Sequence, residues 1–292
     1  MLINRHDGNR IFYILIGVLI SLVLAAIIVP YLSSMDPRDA STFYLENSHL
    51  PPSFMPGGNR KFLLGTDSQG ADMVPLIFYG LRTSLLIGFF AVAVSLIIGG
   101  FAGLIGGYAG GLLDAAIMRC ADVQFTFPAL LMALLMGTLG HAMLSDFNRE
   151  RYAFITVVLS LGIAHWPHFA RLIRSRTQVE VGKDYVSAAR MLGRGPIFII
   201  MRHLLPNVCG SVIILATLDL SLTIMSEATL SFLGFGMPES EPSLGTMIRT
   251  GYEYVFSGEW WMVAFPGLVL VVLTVTINLL GDRVRDTLSS TG

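Results

Sequence analysis

At 292 residues, with 53% hydrophobic and only 13% charged side chains, the chain is too poor in charge for a soluble domain, in which the charged share is about 25%. A mean hydropathy of +0.67 points to the same membrane class. The net charge of −1 argues against nucleic acid as a partner, since polyanion binding needs a clustered excess of Lys and Arg. Two cysteines, Cys120 and Cys209, are too few for a disulfide framework and are expected as free thiols.

Six apolar segments follow one another, each set against the ~20 residues that a helix needs to cross the hydrocarbon core. A short tail, residues 1–10, carries Arg5 and Arg10 and leads into the first span, 11–32. That run is longer than a signal-peptide core and lacks an Ala-x-Ala-like cleavage site, so a retained anchor is expected. Residues 33–84 form a turn-rich connection with Pro51, Pro52, Pro56, Gly57 and Gly58, and are not expected to be an independent domain. A second span covers 85–108 and opens the five-helix core, 85–280.

The glycine cluster GGFAGLIGGYAGG, 99–111, places Gly106 and Gly111 at P-loop spacing, but Leu112 and Leu113 stand where Lys and Ser or Thr are required. Around Gly182 and Lys183 the first glycine is replaced by Thr177 and the hydroxyl by Asp184. No nucleotide site is therefore expected in this chain. The pairs Gly99 and Gly103, Gly103 and Gly107, and Gly106 and Gly110 instead have the small-xxx-small spacing that lets helix backbones approach.

The third and fourth spans, 121–140 and 153–169, are short and impure. One holds Asp122 and Pro128, the other His165, Pro167 and His168, so both are expected to face other helices rather than lipid. The HWPH run invites a metal reading. Pro167 disfavours a regular helical pair, no Cys, Asp or Glu stands nearby in sequence, and two ligands do not make a site, so interfacial histidines are the expectation.

The fifth span, 208–235, contains Asp219 and Glu227, acids whose cost inside a membrane makes them candidates for function. For Glu227, in SEATLSFLG near the end of its helix, a hydrogen bond to a neighbouring helix is the favoured role over handling substrate or protons. A loop, 236–259, precedes the last span, 260–280, where Trp260 and Trp261 suit an interfacial aromatic belt. A tail, 281–292, ends the sequence.

With the N-terminus cytoplasmic, twelve of the nineteen Lys and Arg fall on the cytoplasmic side, as the positive-inside rule asks. Seven of them, Arg171, Arg174, Arg176, Lys183, Arg190, Arg194 and Arg202, lie in one loop, 171–206. Within it, DYVSAARMLGRGPIFIIMRHLLPN spans 184–207. Asp184 opens a first stripe in which Tyr185, Ala188, Ala189 and Leu192 share one helical face. Gly193 and Gly195 interrupt it, and Pro196 suits the first turn of a second helix. Ile197, Ile200, Met201 and Leu204 repeat the spacing before Pro206, which is expected to redirect the chain. Two short amphipathic helices joined by a glycine corner suit either a partner's groove or an anionic lipid surface, and spacing leaves the two even.

The run Ser187, Ala188, Ala189, then Gly193, then His203, Leu204, Leu205 and Pro206 resembles the EAA loop of binding-protein-dependent ABC importer permeases. LLGTDSQGADMVPLIFYGLRTSL at 63–85, EATLSFLGFGMPESEPSLGTMI at 227–248 and WWMVAFPGLVLVVLTVTINLLGDRVRDTL at 260–288 are similar to the C-type permease of the dipeptide, oligopeptide and nickel importers. The resemblance implies an all-α integral membrane protein of six transmembrane helices with the type I importer fold. It also implies that the loop is a coupling helix docking into a cytoplasmic ATPase subunit. The implied assembly has a homologous second permease, two ATPase subunits or domains that bind ATP and Mg, an external solute-binding protein and surrounding lipid, all in a bacterial inner membrane with both termini cytoplasmic. This chain would have no cofactor, metal or catalysis of its own. Four positions depart from the family pattern: Ser187 replaces the Glu that names the loop, His203 an aliphatic residue, Ala71 an Arg and Arg283 a Gly. An ion-gradient-driven transporter using Asp219 or Glu227 is the alternative. Peptides are the cargo expected first.

Overall fold

The computed structural model describes residues 5–33, 36–37, 45–143 and 146–289, and the ends of both tails, with 34–35, 38–44 and 144–145, lie outside the described residues. Among the described residues ten α-helices follow in order: α1 Arg5–Leu32, α2 Met73–Ala109, α3 Gly111–Thr126, α4 Ala129–Met143, α5 Asp146–Val181, α6 Asp184–Met191, α7 Pro196–Ile199, α8 Leu205–Phe232, α9 Leu244–Tyr252 and α10 Trp261–Ser289. Among the described residues five helical stretches are long and apolar enough to cross a membrane, and six if the bent pair α3 and α4 counts as one.

That pair breaks where the chemistry of proline demands it. Phe127, the residue before Pro128, is extended at φ −94° and ψ 136°, because the proline ring crowds an α-helical predecessor. The two halves consequently meet at 93°. Sequence alone suggested one impure span over 121–140; the structure instead has a helix, a corner and a second helix. A second elbow, between α2 and α3, is made by Gly110 and Gly111, both left-handed at φ 64° and 60°.

The helix α5 is the centre of the bundle, although its hydropathy is the lowest of the spans. In its most apolar window 61% of residues are buried inside the protein, against 6% for α1, which lies at the periphery. A span surrounded by helices can carry polar groups that a lipid-facing span cannot. Packing is most extensive between α2 and α5. A methyl group added at Gly99 would come within 2.7 Å of Phe169 Cβ, at Gly103 within 2.7 Å of the Ala170 carbonyl, and at Gly107 within 2.7 Å of Thr177 Cβ. Three of the five glycines in the small-residue pattern thus form one seam against α5. Gly106 and Gly110 do not join it: Gly106 lies against Asp114, and Gly110 has open space around its α-carbon.

Helix boundaries differ from hydropathy at both ends of the bundle. The α2 helix starts at Met73, well before the apolar run at Leu85, because Asp72 caps it by accepting from the Val74 N–H at 2.9 Å. Likewise α5 runs on to Val181 through charged residues expected in a loop, since Arg174 has a partner on α3: its guanidinium grips both carboxylate oxygens of Asp114, one at 2.6 Å. The connection between α5 and α8 is correspondingly shorter than 171–206.

At the end of the bundle opposite α6 and α7, segment 45–72 folds onto the start of α10. Thr66 accepts from the Leu50 N–H and donates to the Asn47 carbonyl, while His49 Nδ1 meets Glu259 at 2.6 Å. The Trp261 indole donates to the Thr66 carbonyl at 3.2 Å and is buried. Trp261 is therefore an anchor for this segment rather than a lipid-facing belt residue; only Trp260 is exposed.

Candidate functional site

Segment 182–207 forms the tip of the bundle's most basic end. Asp184 opens α6, and Gly193 turns the chain at φ 72°, a conformation that a side chain strains against. Pro196 then takes the first turn of α7, where its missing N–H costs nothing. Beyond it the expected change of direction at Pro206 does not occur, and residues 196–232 form one continuous run of helix. A π turn, Ile200–Leu204, explains this: the Leu205 N–H reaches back five residues to the Ile200 carbonyl, and the wider turn accommodates a proline that has no N–H to give.

The apolar stripes also fall differently from their spacing. Val186, Ala189, Ile199 and Leu204 are buried together against Tyr108, Val181, Tyr185 and Ile200. Ser187 and Ala188 are exposed, as is Leu192. Because α6 is short and the glycine corner and π turn both shift the phase, a single i, i+3, i+4, i+7 stripe cannot stay on one side. What remains outward is a cap of large apolar side chains: Met191 is 83% exposed, Leu192 79% and Ile197 77%, with Phe198 and Met201 beside them.

This tip is tied to the bundle by polar contacts. The Tyr185 hydroxyl donates to Glu180 at the end of α5 and accepts from Asn207 Nδ2 at 3.0 Å on α8, and Lys183 meets Glu180 at 2.6 Å. Burial first, and then the Glu180 carboxylate, hold the Tyr185 hydroxyl above its usual range, so it remains a donor at neutral pH. His203 packs between Tyr185 and Phe198, with ring centroids at 5.7 and 5.8 Å. Tyr185→Phe removes the shared hydroxyl and about 1 kcal/mol. The expected result is roughly fivefold faster amide hydrogen exchange confined to 182–207; unchanged exchange there would show that the hydroxyl does not tie the tip down.

The two acids of α8 occupy different surroundings. Glu227, fully buried, accepts from Ser84 of α2 at 2.8 Å and from Ser231 at 2.7 Å. Ser84 in turn accepts from the Leu244 N–H at 3.2 Å, and Ser231 from the Met237 N–H at 3.3 Å. One carboxylate thus joins α2, α8 and the start of α9 at the end opposite 182–207. Asp219 lies near the middle of α8, beside His165 and His168 of α5, with Nδ1 to Oδ1 distances of 3.1 and 3.4 Å. Pro167 sits inside α5 without interrupting it, so the two histidines do share a face. No acid stands near them in sequence, and it is the fold that brings Asp219 to them from another helix.

A family model described as binding-protein-dependent transport system inner membrane component matches residues 95–290. The di/tripeptide transport system permease protein DppC of Pseudomonas aeruginosa is 34% identical over 282 residues, covering 96% of this chain and 86% of that protein. The dipeptide transport system permease protein DppC of Escherichia coli K12 is 36% identical over 285 residues, covering 98% and 89%. The chain belongs to this family of transport-system inner membrane components.

The permease shares its fold with a chain of the inward-facing MetNI methionine ABC transporter, at a TM-score of 0.52 and 20% identity over 72% of this chain and 93% of that one. A chain of an amino acid ABC transporter crystallised with histidines gives 0.52 and 20% over 71% and 92%. The architecture is that of a type I importer permease, a transport subunit that is not itself catalytic, and the matches give no support to an ion-gradient-driven alternative. Sequence reading missed Val186 and Ile199 as the inner contacts of the tip and Met191 and Phe198 as part of its cap. The permease also uses Glu180 and Asn207, polar residues flanking the segment, which no apolar periodicity could reveal.

Proposed function

We propose that this permease carries peptides or similar small solutes into a bacterial cytoplasm and takes its energy from ATPase subunits docked on segment 182–207. The cap of Met191, Leu192, Ile197 and Met201 carries this reading, because large apolar side chains exposed on a rigid, basic tip suit a groove on a partner. Polar ties from Tyr185 to α5 and α8 make the tip a stiff lever. A push on the cap would pass into the two helices that flank it. The basic residues of this end support a cytoplasmic position for it and for both termini. Peptide cargo is supported by the names of relatives that share a third of their residues with nearly the whole chain. The working assembly would hold a second, homologous permease, two ATPase subunits that bind ATP and Mg, and an external binding protein that delivers cargo.

The test is Gly193→Trp in the complete transporter reconstituted in liposomes. Gly193 has open space around its α-carbon, so an indole there meets the partner rather than the bundle, and the left-handed turn is strained as well. Membrane insertion is expected to be normal while uptake falls by more than about tenfold, the effect of some 1.4 kcal/mol at the docking contact. Uptake at the wild-type rate would overturn the coupling assignment.

A further inference from the structure

Near the middle of the bundle, α5 and α8 bring three metal-ligating side chains to one point. His165, His168 and Asp219 offer ligand atoms that all lie within 4.8 Å of one another. Asp219 and His165 are almost wholly enclosed, at 1% and 4% side-chain exposure. Both imidazoles crowd the same oxygen, Asp219 Oδ1, while Asp219 Oδ2 and His165 Nε2 have no hydrogen-bond partner. A carboxylate oxygen left unpaired at this depth is costly, and one hydrogen-bonded His–Asp pair would not account for a second ring on the same atom.

We propose that His165, His168 and Asp219 form a binding site for a divalent first-row transition ion of the zinc type. A tetrahedral ion at about 2.1 Å from each ligand requires ligand atoms about 3.4 Å apart, and the two nitrogen–oxygen distances are 3.1 and 3.4 Å. Two imidazoles and one carboxylate select zinc, cobalt, nickel or copper over magnesium and calcium, which take oxygen donors. Three protein ligands leave a fourth position open. A route to the site is at hand, because His168 also lines a cavity of about 180 Å³ at the corner between α3 and α4, with Gln124, Phe125, Phe127 and Pro128. Arg171, stacked over the Phe125 ring at 3.9 Å, does not repel an ion strongly, because its charge is matched by Asp122 at 2.6 Å. A bound ion would cross-link α5 to α8, the two helices that flank segment 182–207, and make them move as one body.

The experiment uses the intact transporter complex in lipid nanodiscs, stripped with a chelator and titrated with Co²⁺. A single equivalent per permease chain is expected, with the visible absorption of a four-coordinate nitrogen and oxygen site that Zn²⁺ bleaches. His168→Gln and Asp219→Asn are each expected to weaken binding by more than about 100-fold. His49→Gln, at the far end of the bundle, leaves it unchanged. Should Asp219→Asn fail to assemble, His168→Gln at a partly exposed position carries the test. Absence of an equivalent in the wild type, or the same equivalent in His168→Gln, overturns the site. Binding needs neither cargo nor ATP, so its failure leaves the transport proposal untouched.

Discussion

Glu227→Ala is expected to destabilise the permease by about 3 kcal/mol, the loss of two hydrogen bonds to a carboxyl group and the cavity it leaves. The two serines that donate to it, Ser84 and Ser231, would be left buried without an acceptor, and both also receive backbone N–H groups from Leu244 and Met237. Damage would therefore spread from α8 to the start of α9 and to α2. Thermal unfolding of the purified transporter measures the cost. Glu227→Gln, which keeps an acceptor and nearly the same volume, should recover more than half of it, and Ser84→Ala should lose only about 1 kcal/mol. Equal melting of Glu227→Ala and wild type would remove the carboxyl group from any structural account.

Gly103→Ala is expected to cost about 2 kcal/mol through overpacking, although alanine is the better helix former. Its new methyl group would lie 2.7 Å from the Ala170 carbonyl, 2.9 Å from Ile173 Cβ and 3.0 Å from the Arg174 amide nitrogen, and backbone atoms of a packed helix cannot retreat as a side-chain tip can. Gly100→Ala is the matched control on the same helix. There the nearest atom to a new methyl is 3.8 Å away, so helix propensity alone acts and stability should hold or rise by up to about 1 kcal/mol. A loss at both positions of similar size would show that the seam between α2 and α5 is not what the glycine serves. Because α5 leads straight into the tip, a shifted seam should lower uptake too.

Glycine spacing made the α2 seam legible in advance, but not which glycines belong to it. Gly99, Gly103 and Gly107 meet α5, whereas Gly106 and Gly110 share the spacing and do not. A four-residue interval says that two glycines lie on one face; it does not say which face has a neighbour. The same limit applies to the tip. Periodicity grouped Tyr185, Ala188, Ala189 and Leu192, but Val186 is buried and Leu192 exposed, because α6 ends after two turns and Leu192 already belongs to the turn that leads into Gly193.

Composition, the order of apolar runs and the motifs at 187–206, 227–248 and 260–288 determined by themselves that this is a many-helix membrane permease of the importer family. These are properties of local composition and ordered motifs, and no contact between distant residues is needed to recognise them. Both prolines could break a helix, and tertiary structure decided that Pro128 divides one span into two at 93° while Pro167 divides nothing, since Pro128 borders a cavity and Pro167 is buried inside the most enclosed span. It alone placed Asp219 against His165 and His168, separated from them by 54 and 51 residues of chain. Proximity across such a loop comes from helix packing, which no short-range pattern in the sequence encodes.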